Sequence, residues 1–507
     1  MMTAFKPGKK LNAVLSIMAG LFFLGVLLLL MFAQEALSQF YRQPYLMPNW
    51  ALVVVMLAVL AAAALIRGRV TWPASNRGTL LFALYFPALL LLQLLFVRSV
   101  WYYPGFDVVN VYQNAQLIAQ GIAVDGSYFR LCPNNAPLTV LLAAPLWLAL
   151  RAGLAVPYAI LPYSGAVAAN LSLLLCVLCV RKLTPSRLAC WGTLLMGTVW
   201  IAFSMLITVP YTDIFSLLFP VLALYIYLSR MRLLPKWFLI SLVSVFGASL
   251  KPTALIFLIA LGIVTGLRYL FRRPWTWAVA RKGLLVVLVM ILGAVPGTLW
   301  KNQTTAYLAG SSQPQEQLSE THYLMLGMNA QTYGGHSPDD LAYSMSFPDL
   351  ATRRQANIAR AWERLSSRTL GEHAAFFAVK TYKAFSDGMF AANHSFLQLE
   401  IPVRQDAISI LLRRLFYEKG DLHPWLVTVE QGIWIGVLLL CLLAFFSGAR
   451  GNGSTALMGL TLLGVAAYLL LFEVWPRYLF LYAPFFLVLA GLGLSRLPVL
   501  RLSRKTR

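Results

Sequence analysis

The chain has 507 residues, 59% of them hydrophobic and 12% charged, with a net charge of +23 at pH 7. So few charges cannot cover the surface of a soluble protein of this length, and the apolar segments are far longer than the alternating strands of a membrane β-barrel. The composition specifies an all-α polytopic membrane protein whose apolar runs can each cross about 30 Å of hydrocarbon.

The runs fall near 11–33, 50–66, 79–97, 136–152, 157–180, 188–207, 212–229, 237–250, 253–270, 283–300, 430–448, 455–472 and 477–495. The first follows MMTAFKPGKK. It is too long for the apolar core of a signal peptide and no small-residue cleavage site follows, so it reads as the first span. Charge decides which of the others cross. Lys6, Lys9 and Lys10 place the N-terminus in the cytoplasm, and Arg67, Arg69 and Arg77 follow the second run. If 136–152 crossed, Arg181, Lys182 and Arg187 would face outward, as would Arg268, Arg272, Arg273, Arg281 and Lys282. If it lies along the outer face, all of these fall inside, together with Arg230, Arg232, Lys236 and the basic tail from Arg496 to Arg507. Twelve spans result, with both termini inside. The cytoplasmic segments then hold 23 of the 41 Lys and Arg residues and none of the 18 acids. The positive charge is thus a topology signal and calls for no nucleic-acid partner.

The expected organisation is three spans over 1–97, an outer loop with juxtamembrane helices over 98–156, and central spans over 157–300. A large extracytoplasmic segment covers 301–429, and three spans with a cytoplasmic tail cover 430–507. Glu35, Asp107, Asp125, Asp213 and Glu473 sit near outer helix ends, and the other acids lie between 301 and 430. Ionisable groups beside a membrane core are functional candidates by default. Inside the spans the polar residues are mostly Ser, Thr and Gly, with Asn170 and Gln93 isolated, and no acid is expected at mid-membrane. The stretches 351–369 and 373–390 read as helices whose basic faces, including Lys380 and Lys383, meet headgroups. Five cysteines form no disulfide framework, and the CxxC of Cys176 and Cys179 lies within a span, where it packs.

Asp107 directly follows the third span, and Tyr112, Gln116 and Gln120 recur after it at helical spacing. Such a carboxylate could take a proton from an acceptor hydroxyl while a lipid-tailed donor stays in the bilayer, or it could simply cap the helix it begins. A cation near a leaving phosphate stabilises the charge that grows there. Lys251 and Arg477 suit that role, with Arg404 and Arg130 as alternatives, although Arg477 beside Trp475 and Tyr478 also fits an interfacial anchor. The segment THYLMLGMNAQTYGGHSPDD adds His322, Asn329, His336, Asp339 and Asp340. The last three lack a third well-placed ligand and read as a solvated turn.

Asp107 after a span exit, the Tyr112 helix ending in Gly121, and YFRLCPNNAPL at 128–138 together resemble the GT-C superfamily of integral-membrane glycosyltransferases. Its members include protein mannosyltransferases, lipid A aminoarabinose transferases and actinobacterial mannosyltransferases. TVPYTD at 208–213, LKPTA at 250–254 and EVWPRY at 473–478 are similar to that family's outer turns. The resemblance implies a GT-C-like bundle with its active site on the extracytoplasmic side of a bacterial cytoplasmic membrane. It also implies a polyprenyl-phosphate sugar donor and an extracytoplasmic glycan, lipid or protein acceptor. Asp107 would be the catalytic carboxylate. Lys251, Arg477, Tyr112, Asn134, Asn135, Asp213, Glu473, His322 and Asn329 would bind donor phosphate or substrate. Cys132 stands where that family often has Tyr. No metal or other cofactor is expected to be obligatory, although some members use a divalent cation. A transporter or flippase of lipid-linked sugars, or a polymer ligase of similar architecture, is the alternative.

Overall fold

The computed structural model describes residues 7–67, 75–271, 276–310, 317–392, 398–401, 404–448 and 451–498. Of the basic residues used for the topology, Lys6, Arg69, Arg272, Arg273, Arg501, Arg504, Lys505 and Arg507 lie outside the described residues.

The protein is an all-α polytopic membrane protein. Among the described residues, nine helices are long and apolar enough to cross a bilayer: Gly8–Phe32, Leu80–Val100, Pro157–Leu183, Leu233–Leu250, Pro252–Leu270, Trp277–Ala309, His423–Gly448, Gly453–Leu471 and Pro476–Leu494. The shorter apolar helices Asn49–Leu65, Arg187–Ala202 and Thr212–Tyr227 complete the expected twelve. Helix Ala136–Arg151 is in neither set; it carries a proline at 145 and packs on helix Asp107–Gln120 and on Trp277–Ala309.

Pro476–Leu494 is the centre of the bundle, with Phe485, Phe486, Leu487, Val488 and Leu489 fully buried. Trp277–Ala309 is peripheral, and a run of its Leu, Val and Ile side chains is exposed. It docks against Leu233–Leu250 through Gly293 and Gly297. A Cβ on Gly297 would meet Phe246 N at 2.7 Å and Val245 C at 2.8 Å, so only glycine allows this approach. Asn170 and Gln93 are partners rather than isolated polar residues. Asn170 Nδ2 donates to Gln93 Oε1 at 2.9 Å, and Gln93 Nε2 donates to the Ala202 carbonyl at 2.8 Å. Buried amides satisfied in this way tie three helices together.

The polar region between Trp277–Ala309 and His423–Gly448 folds as a cap on one end of the bundle. Its helices are Glu320–Gly327, Pro338–Met345, Leu350–Ser366, Leu370–Phe385 and Ala407–Phe416. A two-stranded antiparallel pairing of Tyr103 with Glu400 joins it to the segment before Asp107. One expectation about this region is corrected. Lys380 and Lys383 do not face headgroups, because both are buried. Lys380 Nζ donates to the carbonyls of Gly327, Leu470 and Phe472 at 2.7, 2.9 and 2.8 Å, neutralising the C-terminal ends of two helices at once. Lys383 Nζ donates to the Thr332 carbonyl at 2.9 Å.

Two acids of this region, Asp387 and Glu430, are buried within the protein. Residues 386–392 turn inward and are buried, with Phe390 and Ala391 at φ of 57° and 52°. Asp387 pins the turn. It accepts from Tyr41 Oη at 2.6 Å, Gln43 Nε2 at 2.9 Å, Met389 N at 2.8 Å and Ala391 N at 2.6 Å. Glu430, within helix His423–Gly448, is buried close by and its Oε1 has no partner. A residue at the edge of an apolar run looks external in sequence. Here the helix begins seven residues earlier, at His423, and carries Glu430 inside.

Candidate functional site

Three helix breaks at the cap end build the site. At the first, Leu233–Leu250 stops at Lys251, whose backbone is extended because Pro252 follows it. At the second, Tyr211 is extended and the helix resumes at Thr212. Gly165 makes room there, since a Cβ would lie 2.3 Å from the Ile207 carbonyl. At the third, Trp475 is extended ahead of Pro476, which opens a 3₁₀ segment through Tyr482. The Tyr482 hydroxyl donates to the Thr253 carbonyl at 2.9 Å and accepts from Phe257 N at 3.1 Å, fastening the third break to the first.

These breaks bring Lys251, Asp213 and Arg477 together. Lys251 Nζ and an Asp213 oxygen form a buried ion pair. Taking both charges out of water is costly, and their mutual attraction offsets part of that cost. The second Asp213 oxygen, Ser216 Oγ and Thr253 Oγ1 are buried without protein partners. Lys251 Nζ lies 5.1 Å from the Tyr478 ring centroid. The Arg477 guanidinium lies 5.7 Å from the Tyr211 ring and 5.3 Å from that of Tyr478, within cation–π range. Tyr478 Oη donates to Glu473 at 2.9 Å.

Tyr211 links this cationic half to the segment 98–135. Its hydroxyl is bonded to Asn135 and feels the charges of Asp107, Arg477 and Asp213. Burial, then the Asp107 charge, hold it protonated well above the ordinary tyrosine range. Asn135, itself buried, donates to Tyr128 Oη at 2.5 Å. Burial is also the main reason Tyr128 and Tyr323 titrate high, and Asp107 contributes to both. Burial and Asp107 push the Cys132 thiol up to about 12, so it is neutral and a poor nucleophile at pH 7.

Asp107 itself is exposed as the first residue of helix Asp107–Gln120. The preceding residue, Phe106, occupies the cap position at φ 56°, and no side chain there caps the helix. Among the described residues the Asp107 carboxylate accepts no hydrogen bond and joins no ion pair, so a capping role does not account for it.

The sequence-derived residues therefore divide. Asn135, Asp213, Lys251, Glu473 and Arg477 come together around Tyr211 and Tyr478, and the Asp107 charge acts on Tyr211. Asn134 is exposed at the edge and donates to Asn135 at 3.3 Å. Tyr112 turns inward and packs 4.8 Å from Tyr158 and 6.0 Å from Tyr103, ring to ring. His322 and Asn329 belong to the cap's own network. His322 Nδ1 bonds Ser344 Oγ at 2.7 Å, and Asn329 Nδ2 donates to Asp340 at 2.8 Å. Burial lowers His322 to about 4, which keeps it neutral. Asp340 is paired with Arg364 at 2.6 Å while His336 and Asp339 are exposed, and no cluster of three or more His, Cys, Asp or Glu side chains occurs among the described residues. Tyr128 stands near Cys132 in the YFRLCPNNAPL motif, whereas Tyr211, Tyr323 and Tyr478 carry no site signal of their own in the sequence. Tyr211 and Tyr478 stand inside TVPYTD and EVWPRY, so their adjacency to an acid and a cation was the available signal.

No curated protein and no solved structure matches this chain. A family model described as conserved hypothetical integral membrane protein matches residues 10–497. Its match runs through every apolar helix, the cap and all three helix breaks, and the chain belongs to this family of conserved integral membrane proteins.

Proposed function

We propose that the protein is a GT-C-type glycosyltransferase that moves a sugar from a polyprenyl-phosphate donor to an acceptor on the extracytoplasmic side of a bacterial cytoplasmic membrane. The observation that carries this reading is the meeting of Lys251 and Arg477, from two separate helix breaks, within one cluster influenced by Asp107. The distribution of Lys and Arg between the two ends of the bundle supports an extracytoplasmic cap.

In this reading Asp107 orients the acceptor hydroxyl and takes its proton. The acceptor oxygen attacks the anomeric carbon as the bond to the phosphate oxygen breaks. The bonding electrons leave with the polyprenyl phosphate, where Lys251 and Arg477 stabilise the growing charge. A direct displacement inverts the anomeric centre. Asp213 holds Lys251, and Glu473 holds Tyr478. Asp107 is exposed and so accessible to an acceptor, while the buried cations supply the field. A divalent cation is not required by this scheme.

The test is the purified protein with a polyprenyl-phosphate sugar, scored by release of polyprenyl phosphate, together with mass spectrometry of envelope glycans from cells carrying Asp107→Asn. Loss of one glycan modification from folded Asp107→Asn supports the reading, and an unchanged profile defeats it. A second reading, transport of the lipid-linked sugar, is favoured by the buried acids Asp387 and Glu430. It predicts movement of the intact donor across the bilayer with no release of polyprenyl phosphate.

A further inference from the structure

Away from the candidate site, three arginines meet where helix Leu80–Val100 reaches the cap. Arg98 lies in the last turn of that helix. Arg404 and Arg413 come from the segment leading into helix Ala407–Phe416 and from that helix itself, and an Arg413 Nη2 proton is donated to the Arg404 carbonyl. Arg98 and Arg404 both act electrostatically on the Tyr163 phenol, and Arg413 acts on Tyr417, whose hydroxyl donates to the Val100 carbonyl at 3.1 Å. The Tyr417 bond, together with a bond from Ser409 Oγ to Ser99 Oγ at 3.1 Å, holds helix Ala407–Phe416 against the end of helix Leu80–Val100 and so brings the three arginines to one helix end.

Among the described residues, the acid that pairs with them is Asp406, 4.0 Å from Arg98. Its carboxylate is already engaged in capping helix Ala407–Phe416, where it accepts from Ser409 N at 3.0 Å and Ser409 Oγ at 2.9 Å. Arg404 Nε and Arg413 Nη1 are buried with no acceptor among the described residues. Buried guanidinium N–H groups left without acceptors are costly, and an anion bearing several oxygens would satisfy them.

The surface next to this cluster is apolar and extends along the membrane-crossing direction. Leu84, Leu91 and Leu95 are exposed and stand at helical spacing below Arg98, so they share its face of the helix. Fourteen residues of helix separate Leu84 from Arg98, roughly 21 Å of rise, which exceeds one leaflet's share of the hydrocarbon. Ile408, Ile410 and Leu411 add exposed apolar area beside the arginines.

We infer that Arg98, Arg404 and Arg413 form a binding site for an anionic glycerophospholipid, with its phosphate on the guanidinium groups and an acyl chain along Leu84, Leu91 and Leu95. Charge complementarity selects an anionic headgroup. The stripe lies on the open outer surface of the bundle, which selects a bulk bilayer lipid over a substrate drawn from a closed tunnel. The site is separate from the Lys251–Arg477 cluster and does not depend on the transferase reading.

The test uses the full-length protein in an uncharged detergent, titrated with phosphatidylglycerol, phosphatidylcholine, undecaprenyl phosphate or inorganic phosphate and read by native mass spectrometry. The wild type is expected to bind phosphatidylglycerol in preference to the other three. The Arg404→Gln/Arg413→Gln variant should bind it at least about tenfold more weakly at an unchanged melting temperature. Should that variant fail to fold, Arg98→Gln takes its place, because Arg98 is half exposed and its ion pair is long. Leu91→Gln/Leu95→Gln is expected to weaken phosphatidylglycerol without creating affinity for inorganic phosphate. Undiminished binding in the folded arginine variants would overturn the inference. So would equal affinity for phosphatidylcholine, tighter binding of undecaprenyl phosphate, or inorganic phosphate binding as well as the lipid.

Discussion

Lys251 and Asp213, 38 residues apart in the chain, close a buried ion pair at the cap end of the bundle. Each belongs to a different interruption of the helical spans. The pair therefore reports that the two interruptions are in register.

Removing one partner should leave the other charge buried alone. Lys251→Met or Asp213→Asn is expected to cost about 3–5 kcal/mol, seen as a lower melting temperature in detergent. The Lys251→Met/Asp213→Asn double variant should lose less than the two single losses combined. Additive losses would mean the groups do not interact.

Among the described residues, the Asp107 carboxylate makes no hydrogen bond or ion pair that the fold requires. Asp107→Asn should therefore melt with the wild type while transfer falls by roughly 10²–10⁴-fold, the range of a lost general base. A melting temperature that drops together with activity would return Asp107 to a structural role.

Lys380 satisfies three carbonyls, those of Gly327, Leu470 and Phe472. Lys380→Met leaves Gly327, Leu470 and Phe472 oxygens without that donor, at a cost of about 1–3 kcal/mol for each one left unsatisfied. Hydrogen exchange should accelerate first in 327–336 and 470–475, the two segments the lysine joins. Exchange unchanged in both would show that water replaces the ammonium.

Burial pulls Lys380 down to about 7 and Lys383 to about 8. In the unfolded chain both regain an ordinary lysine affinity for the proton, near pH 10.4. The unfolded state then binds more protons than the folded state between those values, so stability rises with pH across the window and is lost as pH falls through 8 and then 7. Melting in detergent should be higher at pH 9 than at pH 6.5. Lys383→Met should flatten the upper part of that dependence, and a flat wild-type profile would show that the folded protein holds both protons normally.

Much of the architecture was legible in the chain. The apolar runs located the twelve apolar segments because lipid requires every spanning backbone to satisfy its own hydrogen bonds, which only long helices do. Charge separated helix Ala136–Arg151 from the others. The breaks at Lys251-Pro252 and Trp475-Pro476 were visible as motifs, because proline ends a helix by removing a donor and restricting the residue before it. The depth of Glu430 was not legible, since a helix of mixed polarity can begin outside an apolar run and continue into it. Nor was the fate of Lys380 and Lys383. A lysine at helical spacing reads as an exposed basic face unless the carbonyls that will receive it are known.

The sequence by itself determined that this chain lives in a membrane, where its helices break, and which end of the bundle gathers its acids. Those properties follow from local hydropathy, proline chemistry and the cost of burying charge, all of which act over a few turns of chain. Only the tertiary structure decided that Asp213, Lys251 and Arg477 share one cluster while His322 and Asn329 serve the cap. It also decided that the end of helix Leu80–Val100, with Arg98, packs against helix Ala407–Phe416, which carries Arg413. Contacts between distant helix ends depend on close packing such as that of Gly297 against Phe246, and no local pattern encodes which ends will meet.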